Sequence, residues 1–298
     1  MRFAGESAAL CAAVSFSVAA NLFAAAGRRV GSASVNRIRL AAVVPMLLVA
    51  LALTRGAPWP VWATHFQLVV LAISGLVGFI FGDGNYYRSL VILGPGRASL
   101  IAATAPVFTM IIAWAALGEI PGRLAFLGVA LTGCGVMIVF YKKQLATAAL
   151  PAGSIAAGVF AGVLGALGQA GGLVLSKIAL RSGLDPLSAT VIRATAGCLG
   201  VWTLTLARGA ASETLAAVRD GRTTRLVLVG TLAGPLLGVA LSLLAINLIE
   251  AGVAASIIAI SPIPTMLLAR WVHHEPITVR KLVGAFTAVA GVIVLFMR

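Results

Sequence analysis

The sequence predicts an all-α membrane protein with ten transmembrane helices, arranged as two inverted five-helix repeats around a central cavity. Three observations predict this fold: an apolar composition, ten apolar stretches and an internal repeat. Of the 298 residues, 60% are hydrophobic and only 10% are charged. So few charged side chains cannot cover the water-exposed surface of a domain this large, so lipid must contact most of the surface.

The ten apolar stretches lie between charged residues and turn-forming glycines and prolines. They run over 6–27, 38–54, 66–91, 97–117, 123–141, 154–178, 188–207, 225–249, 252–272 and 280–297. Inside lipid every backbone polar group must be hydrogen-bonded within its own segment, so each stretch is predicted to be a helix. Ten crossings place both termini on one side of the membrane, and the sequence leaves open which side that is.

The charged residues exclude several classes of protein. The 22 Lys and Arg exceed the 8 Asp and Glu, giving a net charge of +14. The basic residues form small clusters between apolar stretches, such as Arg28-Arg29 and Lys142-Lys143. This placement is typical of the ends of membrane helices beside anionic head groups, and no separate basic domain exists to bind nucleic acid. The three cysteines lie in different apolar stretches without CxxC spacing, so neither a disulfide, a metal nor another cofactor is expected.

An internal repeat divides the chain into two halves. Sliding the sequence by 156 residues aligns 78–142 with 234–298 without a gap and gives fifteen identities, including Gly96/Gly252, Pro106/Pro262 and Glu119/Glu275. Arg39 faces Arg193 in a looser alignment of the earlier portions. We therefore expect one repeat of five helices in residues 1–148 and a second in 149–298. An odd number of crossings inserts the second repeat with the opposite orientation.

Several motifs resemble the EamA domain, the repeat unit of the drug/metabolite transporter superfamily. They are Tyr86-Tyr87-Arg88-Ser89-Leu90, Gly96-Arg97-Ala98-Ser99-Leu100, Ala105-Pro106-Val107-Phe108 and Leu117-Gly118-Glu119, with a second copy around Ser261-Pro262-Ile263 and Glu275. The resemblance implies pseudo-two-fold symmetry, a central cavity, and export or exchange of small metabolites. Amino-acid exporters of the YddG type are similar in length and carry no further domain.

One departure from this superfamily concerns its small multidrug members, which carry a Glu in the middle of the first helix. Here Glu6 lies at the start of that helix and Asn21 lies near its middle. The proton coupling of those relatives therefore cannot be transferred to this chain.

Asp83 is the most informative single residue, because it lies inside the third apolar stretch between Gly82 and Gly84. A charged carboxylate at the centre of a membrane helix costs roughly 2.5–3.5 kcal/mol on insertion scales, so it should face a cavity or a partner. Two interpretations are open: a cavity or coupling role, and a structural pair with Arg88 or another intramembrane arginine. The equivalent position in the second half is Val239.

The other candidates for lining a substrate cavity are polar, aromatic or helix-bending residues within the apolar stretches. Amides inside lipid bond across helices or face a wet cavity, tyrosines can stack on a ligand or anchor at the interface, and prolines free carbonyls at a hinge or a static bend. Together with Asp83, the candidates are Asn21, Asn85, Tyr86, Tyr87, Thr104, Pro106, Gln169, Asn247, Ser261, Pro262 and Thr265.

Two further features have structural interpretations. The sixth stretch carries six glycines, whose spacing favours close helix packing: Gly158, Gly162, Gly165, Gly168, Gly171 and Gly172. Glu119 and Glu275 occupy matching short loops before basic residues, which predicts helix capping or a loop salt bridge.

The function predicted from these observations is secondary transport by alternating access, with export of neutral or aromatic amino acids and related compounds. The alternative is a carrier for another metabolite, such as a sugar phosphate, a nucleotide-type or a drug-like compound. For an anionic substrate, this alternative requires basic residues that face inward, and the candidates are Arg39, Arg88, Arg97 and Arg193. An intramembrane lipid-modifying enzyme is disfavoured, since catalysis of that kind usually needs several acids or a nucleophile beside a base. A structural scaffold is disfavoured because costly buried polar groups would have no purpose in it. The expected partners are a small-molecule substrate and the lipid bilayer of a bacterial inner membrane, with a monomer as the working expectation.

Overall fold

The computed structural model of the chain describes residues 3–140, 152–249 and 251–296. Within these ranges the regular secondary structure consists of fifteen α-helices and two π-helical segments, and no strand is formed. The predicted all-α class is therefore confirmed for the described part of the chain.

The helices of the first half are α1 (Ala4–Val30), α2 (Ser32–Arg55), α3 (His65–Gly75), α4 (Asp83–Leu93), α5 (Pro95–Ala102), α6 (Ala105–Leu117) and α7 (Arg123–Phe140). Those of the second half are α8 (Ala152–Arg181), α9 (Pro186–Ala207), α10 (Ala211–Arg219), α11 (Gly221–Thr231), α12 (Val239–Leu248), α13 (Ala251–Ile258), α14 (Pro262–His273) and α15 (Val279–Phe296). The π-helical segments Leu76–Gly82 and Leu232–Gly238 join α3 to α4 and α11 to α12.

Several helix ends follow directly from local sequence. Thr64 begins α3 with a capping box, in which its side chain accepts from the Gln67 N–H and the Gln67 side chain accepts from the Thr64 N–H. Asp185 caps α9 by accepting from the Ser188 N–H at 3.0 Å, ahead of a proline in the first turn. Gly56 ends α2 in the left-handed conformation, which glycine adopts without a steric penalty.

Seven helical stretches in the described residues are long and apolar enough to cross a membrane: Ala4–Val30, Ser32–Arg55, His65–Leu93, Pro95–Leu117, Ile155–Arg181, Pro186–Ala207 and Gly221–Ser242. Each corresponds to one of the ten predicted stretches. A shorter apolar helix, Arg123–Val139, corresponds to an eighth. The predicted 252–272 stretch is divided into α13 and α14. The chain is thus a multi-pass membrane protein on composition and helix length.

The internal repeat reappears in the secondary structure. The two π-helical segments, Leu76–Gly82 and Leu232–Gly238, are offset by 232 − 76 = 156 residues. The same offset separates α5 from α13 and α7 from α15 at both ends of each helix. A π-helical turn is rare and often lies at a functional site, so its recurrence at one offset is specific support for the repeat.

Helices α7 and α15, which are equivalent in the two halves, pack on each other through glycines. A Cβ added at Gly128 would lie 2.7 Å from the carbonyl oxygen of Gly291, and one at Gly135 would lie 2.6 Å from that of Gly284. Residue numbers rise along α7 as those of its contacts fall along α15, so the two helices are antiparallel. The backbones are this close because glycine has no side chain.

We expect Gly135→Leu to destabilise the protein by about 1–3 kcal/mol or more, because the added side chain must displace the backbone of α15. Gly133→Leu is the matched control, since a Cβ at Gly133 would meet nothing within 4 Å. Thermal unfolding of both variants in detergent measures the difference. Equal melting temperatures for the two variants would contradict the packing described for these helices.

The glycines of α8 let this helix lie against the first π-helical segment and α4. A Cβ added at Gly165 would lie 2.9 Å from the Tyr86 nitrogen, and one at Gly172 would lie 3.0 Å from the Gly78 Cα. This is the close packing predicted for the glycines of the sixth stretch. The contacts also run antiparallel, because residue numbers rise along α8 as they fall from Tyr86 to Gly78.

Helix α1 makes the equivalent contact with the second half. A Cβ added at Gly234, in the second π-helical segment, would lie 2.7 Å from the Ala19 Cβ, and one at Gly238 would lie 2.8 Å from the Phe16 ring. The first predicted apolar stretch of each half therefore packs against the third predicted stretch of the other half. Both π-helical segments contribute residues to one central region, Phe79 from the first and Gly234 and Pro235 from the second.

Candidate functional site

Asp83 is the buried acid of this central region, with 6% of its surface exposed. Its Oδ2 forms an ion pair with the Arg39 guanidinium, which is itself 5% exposed. Its Oδ1 accepts a hydrogen bond from the Gln169 side-chain amide. Three helices, α2, α4 and α8, thus meet at one carboxylate, and the partners reduce the cost of burying its charge.

Aromatic rings and an amide hold Arg39 in place. Its guanidinium carbon lies 5.5 Å from the centre of the Phe79 ring and 5.4 Å from that of the Tyr87 ring, within the range of cation–π attraction. Arg39 Nη2 also donates to the Asn36 Oδ1 at 3.3 Å, while the Asn36 amide donates to the Phe79 carbonyl at 2.8 Å. That carbonyl belongs to the π-helical segment, so the irregular turn is bonded into the same network.

A cavity of about 350 Å³ adjoins this network. Asp83, Arg39 and Gln169 are its charged and amide groups. The rest of the lining is aromatic, small or aliphatic: Phe16, Ala19, Ala20, Phe23, Val43, Leu47, Phe79, Tyr86, Tyr87, Ala102, Ala105, Gly165, Ala166, Thr190, Ala194, Gly234, Pro235 and Val239. Mostly apolar walls with a few convergent polar groups are the usual composition of a small-molecule site.

A second, larger cavity of about 710 Å³ adjoins the first, since Ala105, Gln169 and Thr190 line both. It extends between α6, α8 and α9 to Glu119 and Lys177 at the end of the helices. The first cavity thus adjoins the buried ion pair, and the second reaches a charged, partly exposed rim.

Arg193 lies beside the junction of the two cavities and lines the larger one. Its guanidinium carbon is 5.2 Å from the centre of the Phe79 ring, on which Arg39 also packs. Arg193 adds to the electrostatic attraction on Asp83. The two arginines that the sequence aligned between the halves thus flank one phenylalanine and one aspartate.

Asp83, Tyr86, Tyr87 and Gln169 are the sequence-predicted candidates that line the smaller cavity, and Pro106 and Gln169 line the larger one. The partner of Asp83 is Arg39, whereas Arg88 is exposed. Asp83 therefore has both features that the sequence left as alternatives, an internal arginine pair and a place on a cavity wall.

A second group of candidates joins α1 to the start of α14 instead. The Asn21 amide donates to the Thr265 carbonyl at 3.2 Å, and the Thr265 hydroxyl donates to the Ser261 carbonyl at 2.7 Å. Pro262 is buried in the first turn of α14. These residues contact one another and do not line either cavity, so the structure places them in helix–helix packing.

The predicted proline bend at Pro106 takes the form of a break between two helices. Pro106 lies in the first turn of α6, where a backbone N–H has no partner within the helix, so the missing N–H of proline loses no hydrogen bond. Beside it, the Thr104 hydroxyl donates to the Ile101 carbonyl at 2.6 Å. Asn85 is partly exposed, and its amide donates to the Phe81 carbonyl at 2.8 Å. The side chain of Asn247 lies outside the described part of the structure.

Sequence reasoning did not single out Phe16, Phe23 and Phe79 as lining residues, because phenylalanines in apolar stretches are equally expected to face lipid. Arg39 and Arg193 were considered only as conditional anion ligands. Their alignment between the halves, inside two apolar stretches, was the signal that could have placed them at the site.

Glu119 and Glu275 occupy equivalent positions at two ends of the molecule but differ in burial. Glu119 accepts a hydrogen bond from Lys177 at 2.7 Å and pairs with Arg181, and its side chain is 33% exposed. Glu275 lies 3.6 Å from Arg28, with a side chain 15% exposed, and one of its oxygens has no hydrogen-bond partner among the described residues. Both glutamates therefore form salt bridges, and the partners found for them lie on α8 and α1, outside their own loops.

The pKa values of the two acids are shifted in opposite directions, and the causes differ. Burial against Gly94 and Gly96 raises the pKa of Glu275 above its ordinary value of 4.5, despite the positive charges of Lys281, Arg28 and Arg97. The hydrogen bond from Lys177 lowers the pKa of the exposed Glu119.

We expect Glu275→Gln and Glu119→Gln to change the pH dependence of stability with opposite signs. A folded-state pKa above the unfolded value means that the contribution of Glu275 is complete below about pH 4.5 and is lost as the pH rises through the folded pKa. Glu275→Gln should thus gain stability relative to the wild type as the pH rises to 7. Glu119→Gln should lose stability relative to the wild type over the same rise. Melting temperatures across this range measure both, and parallel curves for the two variants would contradict the assignment.

Comparisons with known proteins are consistent with this architecture. A family model described as "EamA-like transporter family" matches residues 3–141 and again residues 156–297. A solved structure described as "Crystal structure of protein" is similar with a TM-score of 0.58 and 17% identity, over 97% of this chain and 96% of that chain, which indicates a shared fold alone. No curated protein matches the sequence significantly.

Proposed function

The chain belongs to the EamA-like transporter family, a family of small-substrate transporters within the drug/metabolite transporter superfamily, and we propose that it exports neutral or aromatic amino acids by alternating access. The observation that carries this proposal is the central cavity of about 350 Å³, with aromatic walls and one buried polar network. Its volume falls within the range of small-molecule sites.

The proposed architecture is ten transmembrane helices in two inverted repeats, with boundaries at residues 1–148 and 149–298. Two observations support it: the recurrence of the π-helical segments at an offset of 156 residues, and the antiparallel contact between the equivalent helices α7 and α15. Equivalent helices that run in opposite directions are what inversion of one repeat relative to the other produces.

Alternating access is supported by the difference between the two ends of the molecule. The larger cavity reaches the partly exposed Glu119, whereas Glu275, at the equivalent position of the other half, is buried against Gly94 and Gly96. In the proposed cycle the two halves rock about the central cavity, so that the two ends exchange these open and closed arrangements.

The proposed substrate class follows from the lining. Phe16, Phe23, Phe79 and Tyr86 offer apolar surface and stacking faces, while the charged groups, Asp83 and Arg39, form one ion pair in the cavity wall. A molecule with an apolar body and a polar head matches this distribution. The proposed location is a bacterial inner membrane.

A second candidate is a carrier for a phosphorylated metabolite, and the inward position of Arg39 and Arg193 favours it. One positive charge is neutralised by Asp83, however, so the pair offers a single net charge where a phosphate group carries up to two negative charges. This favours the amino-acid proposal.

The test is counterflow into proteoliposomes loaded with unlabelled substrate. We expect labelled L-phenylalanine and L-leucine to accumulate transiently, and a labelled sugar phosphate to remain outside. Accumulation of the sugar phosphate without the amino acids would favour the second candidate. Counterflow of none of these compounds by purified, folded protein would contradict the proposed substrate class.

A further inference from the structure

Arg193 is a charged residue of the larger cavity. Among the described residues, no acidic side chain forms a direct ion pair with its guanidinium. Its Nε is buried without a hydrogen-bond partner among the described residues. Arg39, the equivalent residue of the other half, is paired with Asp83. The two halves have thus diverged at this position: one arginine is paired, and the other faces Phe79 and the larger cavity.

The charges of the site give a simple count. Two guanidinium groups and one carboxylate meet around Phe79, which leaves one net positive charge inside an apolar protein. An uncompensated charge at membrane depth costs several kcal/mol unless water or a counter-charge reaches it. A transient anionic guest is such a counter-charge.

The surroundings of Arg193 give its guanidinium space. A Cβ added at Gly78 or Gly172 would lie 3.1 or 3.2 Å from the Arg193 Nη2, so these glycines of two facing helices leave room for the planar group. Thr190 lies one helical turn away on α9 and lines both cavities. Arg193 therefore lies in the wall of the larger cavity, close to a residue that both cavities share.

We infer that Arg193 forms a carboxylate subsite in the larger cavity, beside the proposed substrate cavity, and that the ligand is a monocarboxylate with an apolar body. A planar guanidinium matches a carboxylate through two parallel N–H···O bonds, and such charge-assisted bonds are stronger than neutral ones. The apolar body of the ligand would extend past Gln169 into the aromatic cavity. This inference rests on the proposed function for its biological meaning, but it concerns binding and can be tested without transport.

The experiment uses three compounds with the same apolar body: 3-phenylpropionate, its neutral amide 3-phenylpropionamide, and the cation 3-phenylpropylamine. Each is titrated against purified full-length protein in detergent, and binding is measured as the rise in melting temperature. We expect the carboxylate to bind on the order of tenfold more tightly than the amide, and the cation to give no shift.

Variants at Arg193 assign this preference to one residue. Arg193→Gln should remove the preference for the carboxylate over the amide, whereas Arg193→Lys, which keeps the charge, should retain part of it. Arg208→Gln is the matched control, because Arg208 is exposed at the end of the same helix. If Arg193→Gln fails to fold, the comparison of the three compounds on the wild type and on Arg193→Lys still decides.

The outcomes separate this inference from the proposed function. Equal affinity for carboxylate and amide, absence of carboxylate binding, or a preference unchanged in Arg193→Gln would each overturn the subsite. A carboxylate preference that depends on Arg193, in a protein that shows no amino-acid counterflow, would retain the subsite and reject amino acids as the transported class.

Discussion

Arg39→Gln should destabilise the protein by about 3–5 kcal/mol, because it leaves the Asp83 carboxylate buried with the Gln169 amide as its remaining direct partner. The expected loss of stability exceeds the net stabilisation that the ion pair contributes. Burying the two charges costs a large desolvation energy, which their mutual attraction offsets. When one member is removed, the desolvation energy of the remaining charge is no longer offset. Unfolding in detergent, followed by the loss of helical circular dichroism, measures the change.

The double variant Arg39→Met with Asp83→Asn distinguishes this explanation from a general loss of packing. With both charges absent neither member of the pair is left as an unpaired buried charge, and the introduced asparagine can still accept from Gln169, so most of the lost stability should return. Arg88→Gln is the matched control, since Arg88 lies on the same helix as Asp83 and is exposed. A double variant no more stable than Arg39→Gln would contradict the role given to the ion pair.

Val239→Trp should strongly reduce transport while the protein stays folded. Val239 lines the central cavity at the position equivalent to Asp83, and the indole would occupy space that the substrate needs. Steric overlap of this kind costs about 1–3 kcal/mol, so substrate affinity and counterflow rate should fall by roughly tenfold to a hundredfold.

Val229→Trp is the matched control for this prediction. Val229 lies on α11, ten residues before Val239, and is 45% exposed on the outer surface of the helices. The added indole should face lipid there and leave the counterflow rate unchanged. A folded Val239→Trp protein that transports at the wild-type rate would contradict the position proposed for the substrate.

For some residues the environment inside lipid is so restricted that the sequence leaves few positions open to them. Asp83 had to face a partner or a cavity because a bare carboxylate cannot be solvated by hydrocarbon, and it has both. The glycines of α8 had to lie in a close helix contact, and they do so against the first π-helical segment. In both cases the chemistry of the residue leaves few alternatives.

Residues with several satisfactory environments were not placed by sequence. Asn21 can be satisfied either by a wet cavity or by a carbonyl of another helix, and the structure gives it the Thr265 carbonyl. Glu119 was expected to pair within its own loop, yet its partners, Lys177 and Arg181, lie on α8. A local pattern cannot tell which helix will be adjacent.

By itself, the sequence determined that this chain is helical, lies in a membrane and contains two related halves, because composition and a repeat of 156 residues express these properties locally along the chain. Tertiary structure alone decided that Arg39 pairs with Asp83 while its counterpart Arg193 stays without a direct partner among the described residues. The physical reason is that a buried charge takes the nearest opposite charge in space, and that distance depends on how α2, α4 and α9 pack together.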